Sequence, residues 1–457
     1  MPRPVRADPA HPGSDHGRSG GSSRRRHAVR SPHRCPVSGD DLRALAGRPG
    51  ETGGHAARAV AALVRAQRRK QLVRLRLVRD HARRLGGHEG ALRAYAILAE
   101  LHGGHPDAVD EVALHPAVRA WASATLRALR GGPTLPGARP EGLASLAAAA
   151  MIRTGTPGEL HVPVSAGGAM IPSLGRAATG FADTALVRFI GHGAWRIGDE
   201  AVVPATPRTD APGWEGLRTL RASAHGAAIH PVLDDLDPFR MPGTEPAPRL
   251  TRPEVHRWHA TFKAAWGILS RRHRGFAVEL AALARALTPL AGGPPGHQSS
   301  ASSPEAFGGV ALSMPADAQT MALTLVHEVQ HAKLTALMDT VPLTRPGGEH
   351  RYRPAWRSDP RPATATLHGT YAHLAVSEFW RAQSSYETGE AARLAHTEFA
   401  RWNTASMEAA EALLDGDDLT PEGHCFVTEI RRTLHRRLAS NHPSPGQAAA
   451  DRRPVPP

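Results

Sequence analysis

Residues 322–339, ALTLVHEVQHAKLTALMD, constrain this chain more than any other stretch, because a strongly helix-forming composition carries His327, Glu328 and His331 on one segment. On a helix, residues four apart lie one turn apart on the same face, so the imidazoles of His327 and His331 can converge on one metal ion. Glu328 lies ~100° further round, within reach of a metal-bound water or a substrate atom. Met321, Leu323, Leu325, Val326, Val329, Leu334 and Leu337 make the segment apolar nearly all round, the pattern of a buried helix. Two histidines and a glutamate on a buried helix need partners, and a metal ion supplies them. His327 and His331 are therefore expected to be metal ligands.

The rest of the chain bounds what can surround that helix. With 457 residues and 41% hydrophobic content there is material for two or three domains. The two cysteines, Cys35 and Cys425, exclude a disulfide scaffold and a cysteine-ligated zinc or iron–sulfur centre. There is no run of 18 apolar residues and no apolar segment after Met1, so a soluble, cytoplasmic protein with no membrane partner is expected. The net charge of +14 would suggest nucleic acid, but residues 1–88 hold 20 Lys and Arg against 6 Asp and Glu. The remainder holds 36 against 36, so the whole excess lies outside the metal region and nucleic-acid binding is not expected.

The pattern along the chain predicts a mainly α fold with a small β-sheet, an α+β architecture with the HExxH helix packed in a C-terminal helical domain. Residues 1–36 are rich in Pro, Gly, Ser, His and Arg and are expected to be a disordered basic tail. A helical N-terminal region follows over 37–142. Its opening helix has Ser38 or Asp40 as cap, and the next, from about residue 55 to 85, is long, amphipathic and basic. Residues 143–250 read as a small α+β region, with HVPV, ALVRFIG, AWRIG and AVVP as short strands. The helical metal-binding domain covers 251–440, and 441–457 is a second expected disordered tail. Within 251–440, Thr251 and Glu254 form a capping box, GFAVELAALARALTPL reads as one helix, and Asp317 caps the metal helix. Thr420 and Pro421 mark the start of the last helix.

The third ligand decides the chemistry. The extended metzincin motif needs Gly and His where Leu334 and Leu337 stand, so that form is excluded. A glutamate-ligated zinc peptidase would use Glu378. His368 and His373 are closer to the motif, five residues apart on one helix, and their ~140° separation keeps them from pointing at one ion together. His373 is favoured because it sits among Tyr371, Leu374, Val376 and Phe379, where an unpartnered imidazole is costly.

VALSMPADAQTMALTLVHEVQH, PAWRSDPRP and LHGTYAHLAVSEFWR, with the earlier PSLGRA and HPVLDDLDPFR, occur in an order that resembles the HExxH-motif peptide-modification family. Its members are described as 2-oxoglutarate-dependent HExxH-type peptide beta-hydroxylases. The resemblance runs from about residue 170 to 440 and leaves the first 90 residues out. It implies iron(II) held by His327, His331 and His373, 2-oxoglutarate as cosubstrate, and a ribosomally made precursor peptide as substrate. Three protein ligands would leave three octahedral positions, two for the oxoacid and one for oxygen. Glu328 would then orient a ligand or substrate, whereas in a zinc peptidase it would be the base acting on zinc-bound water. The far carboxylate of 2-oxoglutarate calls for a bidentate cation; Arg357 and Arg361 are the candidates, with Arg176 and Arg381 behind them. Trp356, Tyr371 and Trp380 are candidate pocket walls.

Overall fold

Apolar residues at three- and four-residue spacing build most of the chain into helices, and the computed structural model describes residues 38–47, 50, 54–180, 182–292 and 298–440. The expected tails at 1–36 and 441–457 lie outside these. The N-terminal helices are α1 (Gly39–Gly47), α2 (Gly54–Leu85), α3 (Glu89–Gly104), α4 (Pro106–Ala113), α5 (Pro116–Ala128) and α6 (Gly142–Thr154). After a run of short strands come α7 (Arg252–Arg272), α8 (Arg274–Leu283), α9 (Ala318–Met338), α10 (Ala363–Ser384), α11 (Gly389–Asp415) and α12 (Pro421–Ser440). The fold is mainly α with small separate sheets. No described helix is long and apolar enough to cross a membrane.

Local chemistry sets the helix starts. The Ser38 hydroxyl accepts from the Asp41 backbone N–H at 3.1 Å, deciding the cap of α1 in favour of Ser38. Asp317 accepts from Thr320 N–H at 2.8 Å at the start of α9. Glu254 accepts from both the backbone N–H and the hydroxyl of Thr251, and Thr420 accepts from Gly423 N–H at 3.0 Å.

The four expected strands pair antiparallel as one sheet, in the order Glu159–Pro163, Thr184–Gly191, Ala194–Ile197, Ala201–Val203. A second sheet runs Ser300–Ala301, Gly309–Leu312, Ala286–Pro289, Val232–Leu233, Arg218–Thr219, with its two inner pairings parallel. This sheet corrects one expectation: GFAVELAALARALTPL is not a single helix, because α8 stops at Leu283 and Ala286–Pro289 becomes a strand. All four of its residues are buried, and pairing on both edges outweighs the helix preference of Ala and Leu.

Two large apolar clusters form most of the core, with two small ones beside them. The first large cluster joins α1, the start of α2 and α7–α12; the second joins the end of α2, α3–α6 and the strands up to Trp214. Residues on both sides of position 142, such as Leu126 and Leu143, belong to the second cluster. The long helix α2 is the spine of both large clusters, contributing Ala59, Val60 and Leu63 to the first and Leu75 and Val78 to the second. Its basic face is partly spent on packing. Arg68 pairs with Asp110, and Lys70 and Gln67 meet Asp339 at 2.6 Å at the end of α9.

Candidate metal centre

Helix α9 lies against α10, and α10 in turn packs along α11. On α9 the Nε2 atoms of His327 and His331 stand 3.0 Å apart. That is close to the separation of two adjacent ligands on one ion, roughly 3.0–3.4 Å for metal–nitrogen bonds of ~2.1 Å. Across from them, the His373 ring is centred 5.1 Å from His327, and the His368 ring 5.7 Å from His331. The five-residue offset on α10 thus sends its two imidazoles to different members of the motif, and four histidines form one wall.

Burial disfavours the charged form of all four. It lowers the pKa of His327 against the opposing charge of Glu328, and lowers that of His331 well below the usual value, aided by the other three rings. His368 is pushed down to about 4 and His373 to about 3, in both cases chiefly by burial. Neutral imidazoles offer lone pairs, which is the form that binds metal. In His373, Nδ1 donates to the Gly369 carbonyl at 2.9 Å, leaving the lone pair on Nε2.

His373 is also clamped. The Trp402 indole from α11 lies parallel to it at 4.3 Å, and Trp356, from the loop before α10, covers it at 4.5 Å. Gly369 makes room for Trp356, since a Cβ there would meet the indole nitrogen at 2.6 Å. Glu328 is buried on the same helix. Its Oε1 accepts from the Ser300 hydroxyl at 2.7 Å, while Oε2 is buried with no partner among the described residues. A buried, unpartnered carboxylate oxygen is costly and marks a place where a donor is due.

The remaining sequence candidates have partners of their own. Arg357 and Arg361 both pair with Asp359 in the loop before α10, at 3.3 and 2.9 Å. Arg176 donates to the Ala166 carbonyl and faces Glu215. Glu378 is held by Arg381 at 2.8 Å and by Arg437 at 3.0 Å, which occupies the carboxylate a zinc peptidase would need. Among the three aromatic candidates, only Trp356 stacks on an imidazole of the motif wall; Tyr371 instead donates to the Leu45 carbonyl, and Trp380 packs on Phe379. Trp402, Ser300 and Arg401 were not singled out by sequence. Arg401 stacks on Trp402, and its charge acts on His373. These residues sit far from the motif along the chain, and only the packing of α11 and of the Ser300–Ala301 strand brings them in.

The donor set fits a divalent metal in part. The His327–His331 pair has the spacing required. Among the described residues, however, no three His, Cys, Asp or Glu side chains are placed to hold one ion together. The chain matches no protein-family model and no curated protein.

Proposed function

We propose that this protein is an iron(II)- and 2-oxoglutarate-dependent oxygenase that hydroxylates the beta-carbon of residues in a ribosomally made precursor peptide, acting in the cytoplasm. The observation that supports this reading is the all-histidine wall on α9 and α10. A carboxylate third ligand is disfavoured because Glu378 is already neutralised by Arg381 and Arg437. His327 and His331 would hold the metal through Nε2, with His373 as the third ligand and His368 as its competitor. When bound, iron with 2-oxoglutarate supplies the oxidising power, turning the oxoacid to succinate and carbon dioxide as oxygen is consumed and one oxygen atom enters a C–H bond.

The chain's own residues then bind and orient. Trp356 and Trp402 fix the plane of His373 and keep water from its faces. Ser300 holds one oxygen of Glu328, so the free Oε2 is aimed to accept from a peptide N–H or a bound water. For the oxoacid's far carboxylate, Arg401 joins Arg357 and Arg361 as a candidate, since it stacks on Trp402, which itself lies flat on His373.

The alternative is a zinc peptidase with Glu328 as base, favoured by the same free Oε2. The test is anaerobic loading with iron(II), followed by 2-oxoglutarate, oxygen and a precursor peptide encoded beside the gene. Oxygen-dependent succinate formation and a one-oxygen mass gain on the peptide are expected. Peptide cleavage supported by zinc without oxygen, and lost in Glu328→Gln, would overturn the reading in favour of the peptidase.

A further inference from the structure

A cavity of about 400 Å³ lies away from α9 and α10, lined by Glu111, His115, Arg208, Val232, Ala281 and Arg285 among others. A neighbouring recess shares Arg208 and adds Arg153 and Arg221. Four guanidinium groups thus surround a region whose one lining carboxylate, Glu111, is already paired with Arg153. Asp110, the other acid acting on Arg285, is paired with Arg68. Arg285 has no hydrogen-bond or ion-pair partner among the described residues. Arg208 spends its Nε on the Ser173 carbonyl at 3.2 Å and Nη1 on Thr219 at 3.4 Å, leaving Nη2 free among the described residues. Burial and the nearby Arg153 push the Arg208 pKa down to about 10, and Glu111 offsets this only in part.

At the base of the cavity sits His115, only 3% exposed, with neither ring nitrogen hydrogen-bonded. Its Nε2 lies 3.7 Å from the Asp234 carboxyl, whose own Oδ2 is buried and unpartnered. Burial and the adjacent Asp237 raise the Asp234 pKa, so that carboxyl adds little negative charge to offset the arginines. An unpaired buried imidazole beside uncompensated arginines is an arrangement that a bound anion would relieve.

We propose that this cavity binds a phosphate group, free or carried on a small organic molecule, with Arg208 and Arg285 as its cationic clamp and His115 as a buried donor. The donors come from separate elements: the residue before α5, the loop after Ala201–Val203, and the entry to Ala286–Pro289. Donors converging from several sides suit the tetrahedral oxygens of phosphate better than a planar carboxylate, which takes guanidinium groups in one plane. The volume exceeds that of a bare phosphate, and Ala228, Ile229 and Ala284 offer an apolar wall for an organic portion.

The test is isothermal titration calorimetry of the full chain at fixed ionic strength, with inorganic phosphate, glycerol 3-phosphate and succinate. Saturable binding of inorganic phosphate is expected, with succinate at least tenfold weaker. Tighter binding of glycerol 3-phosphate would identify an esterified phosphate as the ligand, and equal binding a free one. Arg285→Gln should weaken phosphate binding by roughly tenfold or more, the usual cost of one charge-assisted contact. If that variant loses its circular dichroism signal, Arg221→Glu in the neighbouring recess, which shares Arg208 with the cavity, serves as the second variant, with the same direction expected. The proposal is overturned if neither phosphate ligand binds saturably, if succinate binds as tightly, or if the folded variant binds like the parent protein.

Discussion

The imidazole of His373 lies flat on the indole of Trp402, ring centroids 4.3 Å apart and planes within 10°. A stacked ring has one rotational freedom left, and the bond from Nδ1 to the Gly369 carbonyl removes that too. Trp402 is therefore a positioning residue for the proposed third ligand. Trp402→Leu should lower cobalt(II) affinity by about tenfold, the usual cost of losing an outer support of a ligating histidine, while Trp402→Phe should keep most of it. Cobalt(II) titration followed by visible absorbance measures this. Equal affinity in all three proteins would remove His373 from the ligand set.

A buried ion pair sets the register of α9. Lys333 meets Glu279 of α8 at 2.8 Å with both side chains almost wholly buried, and Gln330 donates to the other Glu279 oxygen at 3.0 Å. Burial alone would lower the Lys333 pKa, but Glu279 and Tyr371 together raise it, so Lys333 keeps its charge. Lys333→Met leaves a buried carboxylate without its cation, and the expected cost is roughly 3–5 kcal/mol of folding stability. The double variant Lys333→Met with Glu279→Leu should recover much of that loss. Urea unfolding of the three proteins is the check.

Gly369 controls how closely the loop before α10 approaches the histidines. A Cβ at this position would meet Trp356 at 2.6 Å, so Gly369→Ala must push the indole off His373. The expected cost is about 1–3 kcal/mol, as for other overpacked sites, with a shift in tryptophan emission as that indole moves. An unchanged midpoint and emission spectrum would place Trp356 elsewhere.

The parts of the site carried by one continuous helix are legible in the sequence. Asp317 as cap and the all-round apolar pattern of α9 predict its start and burial, and the four-residue spacing brings His327 and His331 together. The facing pair on α10 is legible only in part. The ~140° offset between His368 and His373 separates the two rings, but it does not reveal that one faces His327 and the other His331. Trp402 and Ser300 carry no local signal, because their roles depend on how α11 and the Ser300–Ala301 strand dock. Arg357 and Arg361 are near the site in sequence, yet Asp359 between them takes both charges. The strand Ala286–Pro289 is hidden for a similar reason: its composition favours helix, and only its neighbours in the sheet make it a strand.

Acid should unfold the protein early, and His273 is one identifiable cause. It stacks on Phe379 at 4.2 Å and shares a 3.1 Å hydrogen bond with Gln383, joining the start of α8 to α10. Burial drives its pKa down to about 4, partly opposed by Gln383 and Glu378. A histidine with a depressed folded-state pKa stabilises the fold above its unfolded value near 6.5, and that contribution is lost as pH falls toward 4. From this shift alone, about 2 kcal/mol should disappear between pH 7 and pH 5. Replacing His273 with Gln removes the titration, so the variant should start less stable at pH 7 and lose less on acidification. Urea midpoints of both proteins at pH 7, 6 and 5 decide it: parallel loss in the two would show that His273 is not a source of the acid sensitivity.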